Sequence, residues 1–384
     1  MTLDAAFRAR QTWTIARLEL KRVFFSRRSF WVYGLALFPL AIFTAAAIGM
    51  EYQKRQWSAA SVISPALLDS VREGERAEAV LARLGKPAQD RTWTARRHAE
   101  GEDEEKTIET AYRRLLYWDG RRRANLIFRD GILEQRYVST LASLEKQRGA
   151  YNGVFHYYYL KLAIFFGCLG IFMNLFRGEM LDKTLHFWLL APARRDVLLG
   201  GKYLAGLLAA AVIFGAGAAL TFIAMLWPVD PLEVRAYLAG PAAGDIVRFS
   251  AAAMLGCLGY GSAFLAAGLL VRNPIVPAVI LMMWESINGF LPAALQKISV
   301  LYCVQSLCPM PPPIDPAAPT LVRLFLAPAA PASWPMAVLG VCAVTALLLF
   351  AAARAVSDKA ATWWPVTSWP SGRDYHGRFT PARA

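Results

Sequence analysis

Charge is scarce in this 384-residue chain. Lys, Arg, Asp and Glu make up 18% of it and hydrophobic residues 56%, where soluble domains average about 25% and about 45–50%. Histidine is rarer still. His98, His156, His186 and His376 lie scattered, without metal-ligand spacing, and no H-E-x-x-H occurs. No G-x-x-x-x-G-K-[ST] is present: Gly201-Lys202 is followed by Tyr203, and the position five residues before Gly201 is Asp196. A phosphate-binding loop needs that glycine-rich turn and a hydroxyl for magnesium, so the sequence has no ATP site of this kind. The five cysteines give no disulfide framework. Cys168, Cys257 and Cys342 fall in apolar runs as small core residues, and only Cys303 and Cys308 are placed where oxidation is feasible.

The charge present is segregated. Residues 51–154 hold 19 basic and 16 acidic residues, and the remainder is mostly apolar. The net charge of +14 lies beside apolar runs, where it sets membrane orientation; no zinc-finger, helix-turn-helix or RNA-binding signature accompanies it, which excludes a nucleic-acid partner.

Runs of about 20 apolar residues span a bilayer as helices. Six are found: Phe30–Met50, Val154–Phe176, Tyr203–Trp227, Ile246–Val271, Ile275–Leu295 and Trp334–Ala353. The first is too long for a signal-peptide core and has no small-residue cleavage site after it. Short loops on one side carry eighteen Lys and Arg, those on the other only Arg235, Lys297 and Arg323. The positive-inside rule therefore predicts both termini in the cytoplasm and residues 51–153 outside. In that insert, Pro65–Leu84 and Glu104–Tyr117 show helical apolar spacing. Asp130-Gly131 between Asn125–Phe128 and Ile132–Val138 is a hairpin signal. The apolar segment 296–333 is broken by prolines such as Pro309, Pro311, Pro312 and Pro313, so short helices dipping into the outer leaflet are expected. The tail 354–384 is expected in the cytoplasm, with Trp363, Trp364 and Trp369 on the inner membrane surface.

The loop 177–202 is the most informative. Its stretch from Asp182 has an apolar face of Leu185, Phe187, Trp188 and Leu189 and ends at Pro192, a short amphipathic helix suited to a headgroup layer or a partner's groove. The series Gly178-Glu179, Thr184-Leu185, Leu189-Leu190, Pro192 with Arg194, and Gly201-Lys202-Tyr203 resembles the permease subunits of the ABC-2 family of ABC exporters. Ile15 to Phe30 is similar to that family's interfacial elbow helix before span one.

The resemblance implies a fold and a role. The fold is an α-helical polytopic membrane protein: six transmembrane helices, an N-terminal elbow helix, a cytoplasmic coupling helix, and a mostly helical extracytoplasmic insert between spans one and two. The domains are then 1–50 (elbow and span one), 51–153 (insert), 154–353 (spans two to six) and 354–384 (tail). The role is that of a permease in the cell membrane with no catalytic site. It works with a separate ABC ATPase that carries ATP and Mg, and with a second permease, identical or a sibling. Glu179, Asp182, Thr184, Leu185, Arg194 and Arg195 are the candidate contacts with the ATPase. The plain reading of the two acids is helix capping near an N-terminus, and of the two arginines, lipid contact under the positive-inside rule. The size of the insert leaves open a different role, in which the membrane subunit transports nothing and relays ATPase cycles to an envelope partner.

Glu285 is the one acid expected in the middle of a span, with Asn288 near it. A carboxylate there is expensive and marks a translocation path or a dimer interface, unless it sits shallower, beside the broken segment. An intramembrane enzyme built on Glu285 lacks a second catalytic group. Spans three and four carry small residues four apart or nearly so (Gly206, Ala210, Gly215, Ala219; Gly256, Gly259, Ala263, Ala267), a pattern for close helix packing.

Overall fold

The computed structural model describes residues 2–26, 29–98, 107–181, 194–271, 275–288, 291, 293–313 and 331–363. Five helices among them are long and apolar enough to cross a membrane. They are α2 (Ser29–Ala60), a continuous helical run from Leu144 to Leu181, α7 (Arg195–Leu226), α9 (Ala242–Leu270) and α13 (Trp334–Trp363). The run from Leu144 consists of α5 (Leu144–Val154), a π-helix (Phe155–Ala163) and α6 (Ile164–Leu181). Ahead of α2 lies α1 (Thr2–Phe25).

The fifth expected span departs from the sequence reading. Instead of running from Ile275 to Leu295, α10 covers only Ile275–Ile287, 13 residues, about 20 Å at 1.5 Å per residue against about 30 Å of hydrocarbon. It is followed by α11 (Ala293–Gln296) and α12 (Val300–Leu307); α12 lies within the segment 296–333 expected to hold short helices, of which residues 314–330 lie outside those described. Cys303 and Cys308 are free thiols. They donate to the carbonyls of Lys297 and Val304, each at 3.6 Å.

The chain divides into two compact units. The first comprises residues 1–37, 153–219 and 245–384, and glycine makes its close packing possible. A Cβ at Gly167 or Gly261 would overlap the ring of Phe214 or Phe172, and one at Gly215 would come within 2.8 Å of Met254. Within the small-residue pattern of spans three and four, Gly206, Gly215 and Gly259 lie against Phe172, Met254 and Val300 in the same way. Phe155 meets Phe249 edge-on at 4.7 Å, and Phe165 meets Phe264 at 5.0 Å, the geometry that aromatic quadrupoles favour.

The second unit comprises residues 38–152 and 220–244. Here the expectation of a mostly helical insert fails. Its centre is a four-stranded antiparallel sheet in the order β1 (Gln89–His98), β2 (Thr107–Trp118), β3 (Arg122–Arg129), β4 (Ile132–Thr140). The expected helix Glu104–Tyr117 is largely strand β2, its first residues lying outside those described. Its content of Thr107, Ile108, Thr110, Tyr112, Tyr117 and Trp118 suits a pleated surface, and its apolar spacing also reads as alternation, with Leu115 and Tyr117 facing inward. The expected Pro65–Leu84 helix is two pieces, α3 (Pro65–Asp69) and α4 (Ala77–Leu84). Leu68, Val80 and Leu84 from these helices close over Leu115, Tyr117, Leu126 and Phe128. The Asp130-Gly131 hairpin is as expected: both residues have positive φ, 48° and 81°, as a type I′ turn requires.

Ion pairs fasten the β2–β3 turn to the segment that follows α7. Arg121 reaches Asp230 at 2.8 Å, and Asp230 caps α8 (Pro231–Leu238) by accepting from Leu232 N–H. Nearby, Arg122 pairs with Asp119 at 2.7 Å and Asp69 at 3.2 Å. Burial would raise the Asp119 carboxyl. The N–H groups of Arg122 and Arg121 and the Arg122 guanidinium outweigh it and hold the pKa below the usual 3.8. A lowered folded pKa supplies stability above the ordinary carboxylate range that disappears as pH falls through the folded value. Asp119→Asn is therefore expected to lower the unfolding free energy of the insert by about 1–3 kcal/mol at neutral pH. The gap to the unsubstituted protein should close below about pH 4. Chemical denaturation followed by tryptophan fluorescence at several pH values measures it.

Candidate functional site

The residues chosen from the sequence fall into two places in the first unit. Glu179 is in the last turn of α6. Asp182, Thr184 and Leu185 lie outside the described residues. The chain is described again from Arg194, which is exposed and pairs with Asp196 at 4.0 Å. Arg195 is the first residue of α7. The loop 177–202 thus connects the end of α6 to the start of α7, and its expected amphipathic helix falls outside the described residues.

The far end of that loop is tied to α1 by two consecutive residues, Gly201 and Lys202. At Gly201 a Cβ would stand 2.8 Å from the Ile15 side chain and 3.0 Å from the Thr12 carbonyl oxygen, so only glycine lets α1 approach this closely. Lys202 is fully buried, and its Nζ donates to Glu19 Oε1 at 2.8 Å and to the Leu175 carbonyl at 3.3 Å. Glu19 itself is 4% exposed. Tyr203 turns the other way and donates to the Leu258 carbonyl at 2.9 Å. Ile15, Val197 and Leu198 form a small buried cluster beside the ion pair. One face of α1 is thereby locked onto the start of α7, while Phe7, Trp13, Leu18 and Phe25 stay exposed. A groove of about 440 Å³ adjoins the loop, lined by Asp196, Leu199, Tyr203, Phe350 and Arg354 among others.

Gly201-Lys202-Tyr203 was visible as a motif in the sequence, but its partner Glu19 was not singled out. The available signal was a lysine in the opening turns of a long apolar helix, which requires a counter-charge.

The second place is Glu285. Because α10 ends at Ile287, this acid stands near a helix end beside the broken segment rather than in the middle of a span. It is 8% exposed, and its Oε2 accepts from Ser299 Oγ, the N-cap of α12. The same hydroxyl accepts from Tyr302 N–H at 3.2 Å, and the N–H groups of Val300 and Leu301 and the Tyr260 hydroxyl also lie against the carboxylate. Glu285 thus sits at the start of α12, where helix dipoles favour negative charge. Its Oε1 and the Oδ1 of Asn288, which is 7% exposed, are buried and have no hydrogen-bond partner among the described residues. No group of three or more potential metal ligands occurs among the described residues.

Long apolar helices, an amphipathic helix locked against the opening of one of them, and buried polar groups in their midst define a membrane-embedded transport component. The model of the ABC-2 family transporter protein matches residues 13–301. The chain belongs to this family, as a permease. No curated protein and no solved structure matches it.

A buried ion pair costs most when one partner is removed. Lys202→Met or Glu19→Leu alone is expected to destabilise the first unit by about 3–5 kcal/mol, whereas the double replacement recovers most of that loss. A double-mutant cycle on thermal unfolding in detergent measures the coupling, and additive effects would show that the pair does not hold α1 in place.

Proposed function

We propose that this permease serves an ATP-driven exporter in the cell membrane, and that the loop 177–202 with α1 receives the force of a separate ATPase. ATP and Mg bind that ATPase, and this chain contributes no catalytic group. The observation that carries the reading is the Gly201–Ile15 contact with the Lys202–Glu19 pair. A push on the loop is delivered to α7 and α1 as one body, because a buried ion pair and a glycine-sized gap leave little freedom between them.

In this reading Glu179, Asp182, Thr184 and Leu185 meet the ATPase, with Arg194 and Arg195 at the edge of the contact. The exposed apolar residues of α1 rest in the headgroup region. Both termini are cytoplasmic and the sheet domain of 51–153 is extracytoplasmic. Two permeases, identical or siblings, enclose the path. Glu285 and Asn288, each with one buried oxygen that lacks a partner among the described residues, face that path or the second permease.

The folded sheet domain favours a second role, in which ATPase cycles are relayed to an envelope partner and nothing is carried. An enclosed path wide enough for a substrate between two copies separates the two roles, since only the exporter needs it.

Affinity purification in mild detergent, followed by mass spectrometry, is expected to recover an ATPase chain in stoichiometric amount. Glu179→Lys with Asp182→Lys is expected to reduce that recovery at least tenfold, about 1.4 kcal/mol or more of binding. Deleting 182–190 is expected to change the complex's ATPase rate. A pure permease with no nucleotide-binding partner refutes the proposal.

A further inference from the structure

Pro39 lies inside the first long helix, α2. Proline has no N–H, so the carbonyl of Leu35, four residues earlier, loses its partner within the helix, and the ring crowds that carbonyl outward. Water would fill the gap in a soluble protein. Hydrocarbon cannot.

Two consecutive tyrosines answer this. Tyr158 donates its hydroxyl to the Leu35 carbonyl at 3.0 Å, and Tyr159 donates to the Ala36 carbonyl at 2.8 Å. Both stand in the π-helix Phe155–Ala163. In an α-helix adjacent side chains diverge by about 100° and do not share a neighbour. The wider π turn reduces that divergence and lets two hydroxyls in sequence reach two carbonyls in sequence. π segments are rare and concentrate at functional sites. Span three approaches the next carbonyl along: a Cβ at Gly217 would come 2.9 Å from Ala36 O. The chain passes from the compact unit ending at Leu37 to the one beginning at Phe38, immediately before the proline.

We propose that Pro39 is a hinge in span one and that Tyr158 and Tyr159 are its latch, positioning residues that hold the hinge at one angle until the transport cycle releases it. Tyr158 binds the carbonyl that the proline frees and Tyr159 the one after it, so letting go costs two hydrogen bonds. The link to a transport cycle rests on the exporter reading above; the latch itself does not.

The test is a double-mutant cycle on the full chain in lipid nanodiscs, read by hydrogen–deuterium exchange in peptides covering residues 35–45. Tyr158→Phe keeps the ring and removes only the hydroxyl, and is expected to raise exchange there about three- to tenfold, the range for losing one hydrogen bond. Pro39→Ala restores an N–H to Leu35, lowers exchange, and makes Tyr158→Phe silent in its background. An equal rise in both backgrounds, or no rise in either, overturns the latch. Tyr159→Phe, acting on Ala36, is expected to raise exchange by less than Tyr158→Phe and serves as the second variant if Tyr158→Phe fails to fold.

With the co-purified ATPase, Tyr158→Phe with Tyr159→Phe is expected to raise the basal ATPase rate at least twofold at unchanged subunit stoichiometry. An unchanged rate overturns the link to the cycle. Failure to recover any ATPase overturns the exporter reading, and the exchange result still decides the latch.

Discussion

A polar group inside hydrocarbon has no water to fall back on, and each one left unsatisfied costs several kcal/mol. Much of this structure follows from that constraint. Lys202 could not open an apolar helix without Glu19 and the Leu175 carbonyl around its ammonium. Pro39 could not interrupt span one without a hydroxyl to take up the carbonyl it frees. Small hydroxyls turn back onto their own helices: Thr44 bonds the Leu40 carbonyl at 2.7 Å, and Ser262 bonds the Gly259 carbonyl at 2.8 Å. Glu285 Oε1 and Asn288 Oδ1, buried with no hydrogen-bond partner among the described residues, are exceptions to this, and the proposed path or second-copy contact rests on them.

Lipid tails are as apolar as the side chains facing them, so helix association in the membrane draws on close packing rather than on the hydrophobic effect. The glycines explain how the first unit reaches that packing. Phe214 presses on Gly167, Phe172 on Gly261, and Val300 of the broken segment on Gly259. The sheet domain obeys different rules. It is built as water-soluble domains are, with one face of the sheet buried under α3 and α4 and with ion pairs such as Arg121–Asp230 around its edge. One chain thus carries a unit organised by dispersion and hydrogen-bond satisfaction and another organised by hydrophobic burial.

The legible parts of the fold were those with a local signal. The Asp130-Gly131 turn was legible because positive φ at two successive positions is a demand that only a few residue types meet. The membrane class was legible from run length. Strand β2 was misread as a helix because Ile108, Ala111 and Leu115 satisfy helical spacing while Leu115 and Tyr117 satisfy alternation, and only the pairing of β2 with β1 and β3 separates the two. The fifth span was read too long because Pro292 and Gly289 lie in an apolar run whose hydropathy conceals the end of α10.

Of the site, the motif Gly201-Lys202-Tyr203 was legible and its purpose was not. Glu19 and Lys202 are 183 residues apart, Tyr158 and Leu35 are 123 apart, and no pattern within a helix indicates which distant group will meet a buried charge or a freed carbonyl. The sequence by itself determined that the chain lives in a membrane, that a charged domain interrupts it after the first span, and that a tight hairpin lies in that domain, since apolar length, charge segregation and turn chemistry are properties of neighbours along the chain. The tertiary structure alone decided that the domain is a sheet, that α10 stops short, and that α1 is pinned to α7 by one ion pair. Those outcomes depend on which surfaces meet in three dimensions, where desolvation makes a distant partner the only one available.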